Sequence, residues 1–306
     1  MIKVKDVLYA RFRAPDLDEM ESYLEDFGLV HSARNDTALY MRASDGEHHV
    51  HVTELGEPAF VGFALETDSA EDLQTISEAE GASPLEQLDT PGGGARVIMS
   101  DPDGFQVEIV HEFEMLPPLR VPHATLRNSG SERQRLGDPV RIAPGPAICK
   151  RLGHVVLNVT DFEASDKFYK SHFGLVSSDE LYDEDDIVRV AFSRCDRGSE
   201  YVDHHTLLTV PAEAAALGHV AFEVEDANDI FVGHEHLAAK GHRHSWGIGR
   251  HVLGSQIFDY WFDPHGFRLE HWTDGDLFND ETPMRRHPIA TALESQWGAT
   301  AADRKI

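Results

Sequence analysis

The stretch GHVVLNVTDF, residues 153–162, decides the fold, because its pattern returns as GHVAFEVEDA at residues 218–227. In each copy a histidine, His154 or His219, lies in an alternating apolar run typical of a β-strand. An acidic residue then precedes a stretch with helical spacing, as at a helix N-terminus. The repetition predicts that one small strand–helix unit occurs more than once in this chain.

A third segment, DPHGFRLEHW at residues 263–272, places Glu270 at the end of a later predicted strand. Two neutral imidazoles, those of His154 and His219, together with one carboxylate form a facial ligand set. Such a set leaves about three positions of an octahedral Fe(II) free. We therefore predict a redox metal site and not only a structural one.

The same strand–helix pattern occurs twice in the first half, beginning with VLYARFRAPDLDEMESYLEDFGLV at residues 7–30. Each opening is followed by three short strand-like segments, and internal repetition at this period indicates the fold. The four predicted βαβββ units run roughly over residues 1–56, 57–112, 150–212 and 216–272. The predicted fold class is α+β, with two units curling around a shared cleft in each of two domains.

The predicted organisation has four parts. They are an N-terminal metal-free domain (1–112), a linker rich in Pro, Gly, Ser and Arg (113–149), a C-terminal catalytic metal-binding domain (150–272) and a C-terminal tail (273–306). The tail looks irregular in sequence. It could cover the mouth of the second cleft or contact a neighbouring subunit.

The repeat supplies an internal control for the metal site. Aligning the halves puts Tyr9 at the position of His154 and Val61 at that of His219, while Glu108 matches Glu270. One carboxylate without imidazoles cannot hold a divalent transition metal. We therefore interpret the first half as a scaffold.

Composition limits the classes of function. The net charge of −27 on 306 residues argues against nucleic-acid binding, since phosphates would be repelled. No apolar run is long enough to span a bilayer, and the N-terminus lacks a signal-peptide pattern, so a cytoplasmic location is expected. The two cysteines, Cys149 and Cys195, form no disulfide framework, in agreement with a reducing compartment.

The motifs LGHVVL, GHVAFEV and YWFDPHGFRLE resemble those of the type I extradiol ring-cleavage dioxygenases of the vicinal oxygen chelate superfamily. The resemblance covers nearly the whole chain. It implies that His154, His219 and Glu270 hold Fe(II), or occasionally Mn(II). It further implies an enzyme of aromatic degradation that cleaves a catechol-type ring next to the diol with O2, often as a homo-oligomer.

Three further residues match catalytic positions of that family. His205 in DHHTLLTV resembles the histidine beside the oxygen site, whereas His204 is the weaker candidate because the family's histidine directly precedes the threonine. His251 in GIGRHVLGS and Tyr260 in FDYWFDP match the pair that contacts the substrate hydroxyls. A similar doublet, His48-His49, occurs in the metal-free half, so part of the doublet signal could be a relic of the repeat.

Two positions at which this sequence differs from its relatives bear on the substrate that it takes. Val156 stands where some relatives have asparagine, and the stretch around Trp246 lacks the arginine of relatives that take acidic side chains. Both favour an apolar or aromatic ring substituent. Hydrophobic residues that could line the pocket or simply pack are Val156, Trp246, Ile248, Phe258 and Trp261.

Two alternatives stay open at this point. One keeps the fold but changes the chemistry to a metal-dependent isomerase, epimerase or thiol transferase of the same superfamily. The other is a non-enzymatic protein that binds an aromatic compound. The first gives no reason for His205, His251 and Tyr260 to occur together, and the intact metal trio in one half argues against the second.

Overall fold

The computed structural model describes residues 1–121 and 128–305, and its elements follow the predicted repeat. The first half contains, in chain order, β1 (Val4–Ala14), α1 (Leu17–Phe27), β2 (Val30–Arg34), β3 (Ala38–Arg42), β4 (His51–Leu55), β5 (Ala59–Thr67), α2 (Ala70–Ser77), β6 (Glu86–Gln87), β7 (Ala95–Ser100) and β8 (Gln106–His111). These elements form two βαβββ units, one from β1 to β4 and one from β5 to β8.

The second half repeats this order with one additional short strand. It contains β9 (Cys149–Val159), α3 (Phe162–Phe173), β10 (Leu175–Tyr182), β11 (Val188–Cys195), β12 (Val202–Asp203), β13 (Leu207–Pro211), β14 (Ala216–Val224), α4 (Ala227–Ala239), β15 (His244–His251), β16 (Ile257–Phe262) and β17 (Arg268–Thr273). The predicted α+β fold of four βαβββ units is confirmed. The domain boundaries at residues 112 and 150 stay predictions.

The acidic or hydroxyl residue after each opening strand begins the helix as expected. The Asp16 side chain accepts hydrogen bonds from the backbone N–H groups of Asp18 and Glu19, and Asp161 accepts one from Ala164. Such N-caps satisfy donors that the first turn of a helix leaves free. Helix α1 ends at Gly28, whose φ of 112° is readily available only to glycine.

Each half forms one mixed sheet whose two central strands come from different units. The strand orders are β2-β3-β4-β1-β5-β8-β7-β6 in the first half and, ahead of the tail's additions, β10-β11-β13-β9-β14-β17-β16-β15 in the second. Strands β9, β14 and β17, which carry the three predicted metal ligands, are therefore direct neighbours.

The C-terminal tail is more regular than its sequence suggests, so the expectation of an irregular tail is wrong. It contains β18 (Leu277–Phe278), β19 (Arg285–Pro288), a 3-10 helix (Ile289–Leu293), β20 (Ser295–Gly298) and a second 3-10 helix (Ala301–Asp303). Strand β19 extends the second sheet beside β10, and β20 extends it beside β15. Short edge strands are stabilised by the strand they pair with, which the tail's own pattern does not reveal.

The two halves pack against each other through buried side chains of both. Phe27 of α1 stacks on His271 of β17 with ring centroids 3.9 Å apart, and His271 Nε2 lies 2.7 Å from the Phe27 carbonyl oxygen. The predicted linker lies between the halves, and its residues 122–127 fall outside the described residues. Within the described residues, no helix combines the length and the apolar character needed to cross a bilayer.

Candidate metal centre and active site

Three ligand atoms converge where the sequence predicts a metal. His154 Nε2 lies 3.2 Å from Glu270 Oε2, His219 Nε2 lies 3.1 Å from that same oxygen, and the two Nε2 atoms are 3.3 Å apart. All three side chains are buried. They form a nearly equilateral triangle of donor atoms.

Strand register explains this convergence. Ala221 of β14 is paired with His154 of β9 on one side and with Glu270 of β17 on the other. Residues opposite one another across a sheet share a face, and so do residues two apart on one strand. His219, two residues before Ala221, therefore lies on the same face as the other two ligands.

The glycine before each ligand histidine has a steric reason. A Cβ atom at Gly153 would lie 2.4 Å from Trp272 Cζ2, and one at Gly218 would lie 2.7 Å from Val156 Cγ1. Only glycine permits these close approaches without displacement of a neighbour. The repeated GH pair thus reflects close packing around the ligand strands as well as ligation.

The triangle fits a divalent transition metal held on one face. Metal–ligand bonds of about 2.1 Å at right angles would place neighbouring donor atoms about 3.0 Å apart. The observed separations of 3.1–3.3 Å come close to this value. His154, His219 and Glu270 could therefore hold such an ion and leave its other face open.

The protonation states of two of these residues suit metal binding. Burial raises the pKa of Glu270, but hydrogen bonds from His154, His219 and His251 outweigh burial and hold the pKa well below its ordinary value. Burial lowers the pKa of His219 to about 4. An ionised carboxylate and a neutral imidazole are the protonation states that a metal requires.

His205 lies beside the triangle. Its ring centroid is 4.1 Å from that of His154, and Phe192 packs edge-on against it at 5.1 Å. His204 points away from the ligands, with its Nε2 atom 2.7 Å from Asp179 Oδ2. Of the two candidates in the doublet, the structure therefore brings only His205 to the metal ligands.

His251 and Tyr260 are brought together on the other side of the triangle. His251 Nε2 lies 2.9 Å from the Tyr260 hydroxyl oxygen. Tyr260 is paired with Glu270 across β16 and β17, and its ring centroid is 5.0 Å from that of His219. Burial and the charge of Glu270 raise the pKa of Tyr260 well above its ordinary value, so its hydroxyl remains protonated.

A cavity of about 330 Å³ opens above these side chains. Its floor is polar, and its walls are mainly apolar: Val156, Val190, Phe192, Leu208, Val210, Trp246, Val252 and Leu253. Ile289, Ala292 and Leu293 of the tail also line it. The tail therefore covers part of the cavity, which was one of its two expected roles.

Of the five residues expected to line or pack near the pocket, only Val156 and Trp246 reach the cavity wall. Phe258 packs behind Trp246 with ring centroids 4.3 Å apart. Trp261 lies on the opposite face of β16, where its Nε1–H donates to Asp259. Adjacent residues of a strand point to opposite faces, which separates Trp261 from the cavity.

The first half shows what replaces a metal centre. The Tyr9 hydroxyl donates to Glu108 Oε2 at 2.7 Å, Arg96 donates to that oxygen at 3.0 Å, and Arg11 donates to Oε1. The guanidinium groups and the phenol thus satisfy a carboxylate that occupies the position of Glu270. Glu108 and its three donors therefore form a polar cluster in which both carboxylate oxygens accept hydrogen bonds.

One predicted correspondence is displaced by a residue. Ala64 is paired with both Tyr9 and Glu108, just as Ala221 is paired with His154 and Glu270. Counting two residues back places Gly62, not Val61, at the position of His219. Gly62 has a φ of 157° and a Cβ there would lie 1.8 Å from the Gln106 carbonyl oxygen, so this site excludes any side chain.

Sequence reasoning missed Asp179 of β10. This buried carboxylate accepts from His204 at 2.7 Å and lies 3.2 Å from His287 Nε2 of β19. The His204 and His205 Nδ1 atoms are 3.0 Å apart, so Asp179 is linked to His205 through one intervening ring. The only signal in the sequence was the histidine doublet itself.

The chain is similar in sequence to proteins of known family. Residues 151–271 match the Glyoxalase/Bleomycin resistance protein/Dioxygenase superfamily. The chain is 30% identical to metapyrocatechase 2 of Cupriavidus necator over 275 residues, which cover 89% of this chain and 82% of that protein. It is 24% identical to an iron-dependent extradiol dioxygenase of Rhodococcus jostii over 318 residues, covering 97% of each chain.

A solved structure of similar fold is the Mn(II)-bound glyoxalase from Novosphingobium aromaticivorans. It has a TM-score of 0.78 and 24% identity, and the match covers 98% of this chain and 93% of that one. The sequence-based predictions of family and enzyme class are confirmed, and the trio of His154, His219 and Glu270 agrees with the metals named for two of these relatives, iron in the Rhodococcus jostii dioxygenase and Mn(II) in the Novosphingobium aromaticivorans glyoxalase. The chain belongs to the type I extradiol ring-cleavage dioxygenases of the glyoxalase/bleomycin resistance protein/dioxygenase superfamily.

Proposed function

We propose that this enzyme opens the ring of a catechol next to its diol, with Fe(II) held by His154, His219 and Glu270 and with both atoms of O2 entering the product. The observation that supports this most strongly is the triangle of ligand atoms, 3.1–3.3 Å on a side, at the floor of an otherwise apolar cavity. When bound, the iron supplies vacant positions for the diol and for dioxygen and a path for electron density from ring to oxygen.

The hydrogen-bonded pair formed by His251 and Tyr260 orients the diol. Both side chains line the cavity beside Glu270, and the His251 imidazole lies within reach to receive a proton from a substrate hydroxyl. The protonated Tyr260 hydroxyl donates to the substrate oxygen. Placing the substrate before reaction removes part of the entropic barrier.

His205 acts on the oxygen side of the centre. Its imidazole lines the cavity beside His154 and is shielded from bulk water by Phe192. It stabilises charge on the reacting oxygen and delivers a proton as general acid. His204 and Asp179 fix the orientation of its ring from behind.

Asp179→Asn tests this positioning role. The amide keeps the shape but removes the charge that holds His204, so turnover should fall about 10- to 100-fold, the usual cost of losing an outer partner. Iron content and KM should stay near wild type. Steady-state kinetics and iron analysis together separate the loss of turnover from any change in KM or in iron content.

Glu180→Gln is the matched control, because Glu180 neighbours Asp179 on β10 and is bonded to Ser177 instead. Its turnover should match wild type. Equal turnover in both variants would remove Asp179 from the positioning role.

The substrate preference follows from the cavity wall. An apolar substituent can pack against side chains such as Val190, Leu208 and Val252, which offer no hydrogen-bond donor to a carboxylate. We expect kcat/KM for methyl- or phenyl-substituted catechols to exceed that for a propionate-substituted catechol by about tenfold or more. Arg304, a cation that also lines the cavity, provides the internal check. A preference for the acidic catechol that is lost in Arg304→Gln would overturn this assignment.

The activity itself is tested with enzyme reconstituted anaerobically with Fe(II). Addition of oxygenated buffer and a panel of catechols should give oxygen uptake and a yellow ring-opened product. Absence of oxygen uptake across the panel would contradict the proposal. The cytoplasmic location and the homo-oligomeric state stay predictions from the sequence.

A further inference from the structure

A second group of metal-binding side chains lies on the opposite face of the β15–β16 hairpin from the cavity. His234 Nδ1 of α4 lies 3.0 Å from Asp259 Oδ2 of β16, and His244 Nε2 of β15 lies 2.8 Å from Asp259 Oδ1. Within the described parts of the chain, only this trio and the catalytic trio bring three such ligand atoms within 4.8 Å of one another.

We infer that His234, His244 and Asp259 form a second site for a divalent transition metal, with Zn(II) as the best match. Two imidazoles and one carboxylate are ligands that zinc prefers, and a water molecule would complete the coordination. The Asp259 side chain is fully buried, whereas those of His234 and His244 are 31% and 23% exposed. An ion can therefore enter from solvent and reach a carboxylate that water does not screen.

Trp261 supports the same assignment. Its Nε1–H donates to Asp259 Oδ2 at 2.6 Å and thereby orients the carboxylate between the two imidazoles. An outer hydrogen bond of this kind commonly fixes a ligand carboxylate in metal sites. The indole also packs against both imidazoles, with ring centroids 4.7 Å from His244 and 5.3 Å from His234.

A similar cluster elsewhere in the chain lacks these properties. His236 and His242 each lie about 3 Å from an Asp26 oxygen, but the Lys240 ammonium also lies 3.0 Å from Asp26 Oδ1. This fixed cation neutralises the carboxylate and repels a divalent ion. The cluster around Asp26 is thus an ion-pair network, and it supplies a matched control.

The second site is separated from the catalytic centre by the sheet. Asp259 and Tyr260 are adjacent on β16 and point to opposite faces. A metal at Asp259 would join α4 to the hairpin that carries His251 and Tyr260. Its role is structural and independent of ring cleavage.

The test is to count the metal ions bound to each folded chain. Enzyme loaded with Fe(II) under anaerobic conditions is dialysed against micromolar Zn(II), and both elements are measured per folded chain. The wild type should hold two metal ions in total, and the double variant His234→Gln/His244→Gln should hold one. Because the total is counted, exchange of zinc for iron at the catalytic trio does not confuse the result.

The double variant His236→Gln/His242→Gln is the control and should hold two ions. Glutamine at 234 and 244 can still donate to Asp259, which favours folding. If the variant His234→Gln/His244→Gln does not fold, the single variant His244→Gln should weaken Zn(II) binding by about 100-fold or more. This exceeds the usual cost of losing a residue that only hydrogen-bonds to a metal ligand. A wild-type total of one ion, or equal totals in wild type and the His234/His244 variant, would overturn the inference.

Discussion

Glu270→Ala is expected to abolish iron binding and ring cleavage together. Glu270 supplies the only carboxylate of the triangle, and its Oε2 atom lies 3.1–3.2 Å from both ligand nitrogens. Two imidazoles without it would carry no charge to offset the metal and would leave one more position to water. Elemental analysis of the purified variant after anaerobic loading measures the loss.

The control is the equivalent carboxylate of the first half. Glu108→Gln should keep the full iron content, because Glu108 is already held by hydrogen bonds from Tyr9, Arg11 and Arg96 and is predicted to be outside the metal site. The alanine variant at this position should also keep its iron per folded chain, but it should lose stability. Removing one partner of a buried ion pair costs about 3–5 kcal/mol. Iron loss of equal size at Glu108 and Glu270 would contradict the division of labour between the halves.

His205→Phe should retain iron and catechol binding but slow turnover by about 100- to 10,000-fold, the usual contribution of general acid–base catalysis. Phenylalanine fills the space between Phe192 and His154 without offering a proton. Single-turnover kinetics with a preformed anaerobic enzyme–catechol complex separates binding from the later oxygen-dependent step. The defect should appear only in that later step.

His49→Phe is the matched variant, because His49 occupies the equivalent position in the first half. His48 and His49 keep their Nδ1 atoms 3.1 Å apart, as His204 and His205 do at 3.0 Å. The His48 ring lies within hydrogen-bond distance of Ser32 and His49, whereas the His204 ring is hydrogen-bonded to the Asp179 carboxylate. Turnover in His49→Phe should remain within a few-fold of wild type. Normal turnover in His205→Phe would exclude His205 from the mechanism.

Comparison of the halves explains why so much could be predicted from the sequence. The strand and helix periods repeat four times, and each repeat must bury the same apolar face. Some positions hold histidine in one half and tyrosine or another non-ligand at the equivalent place in the other half. Such a difference separates residues needed for chemistry from residues needed for packing. His154 and His219 are distinguished by that contrast, whereas Glu270 has a carboxylate counterpart in Glu108 and is identified by its place at the end of the strand that faces the two histidines.

The errors have a common cause in non-local pairing. The position of Gly62 depends on which residues of β5 face β1 and β8, and one displaced residue changes the assignment. Asp179 and His204 meet only because β10 and β13, the strand that follows the loop of His204, lie in the same sheet. The tail strands form because the edges of β10 and β15 are available to them.

The sequence by itself determined the four units, and it predicted the three ligands and a metal-free first half, because these depend on local periodicity and residue type. Only the tertiary structure decided that the ligand atoms lie 3.1–3.3 Å apart, that His205 and not His204 faces them, and that the tail covers the cavity. These properties depend on the register between strands far apart in the chain, and register is set by packing of the whole sheet.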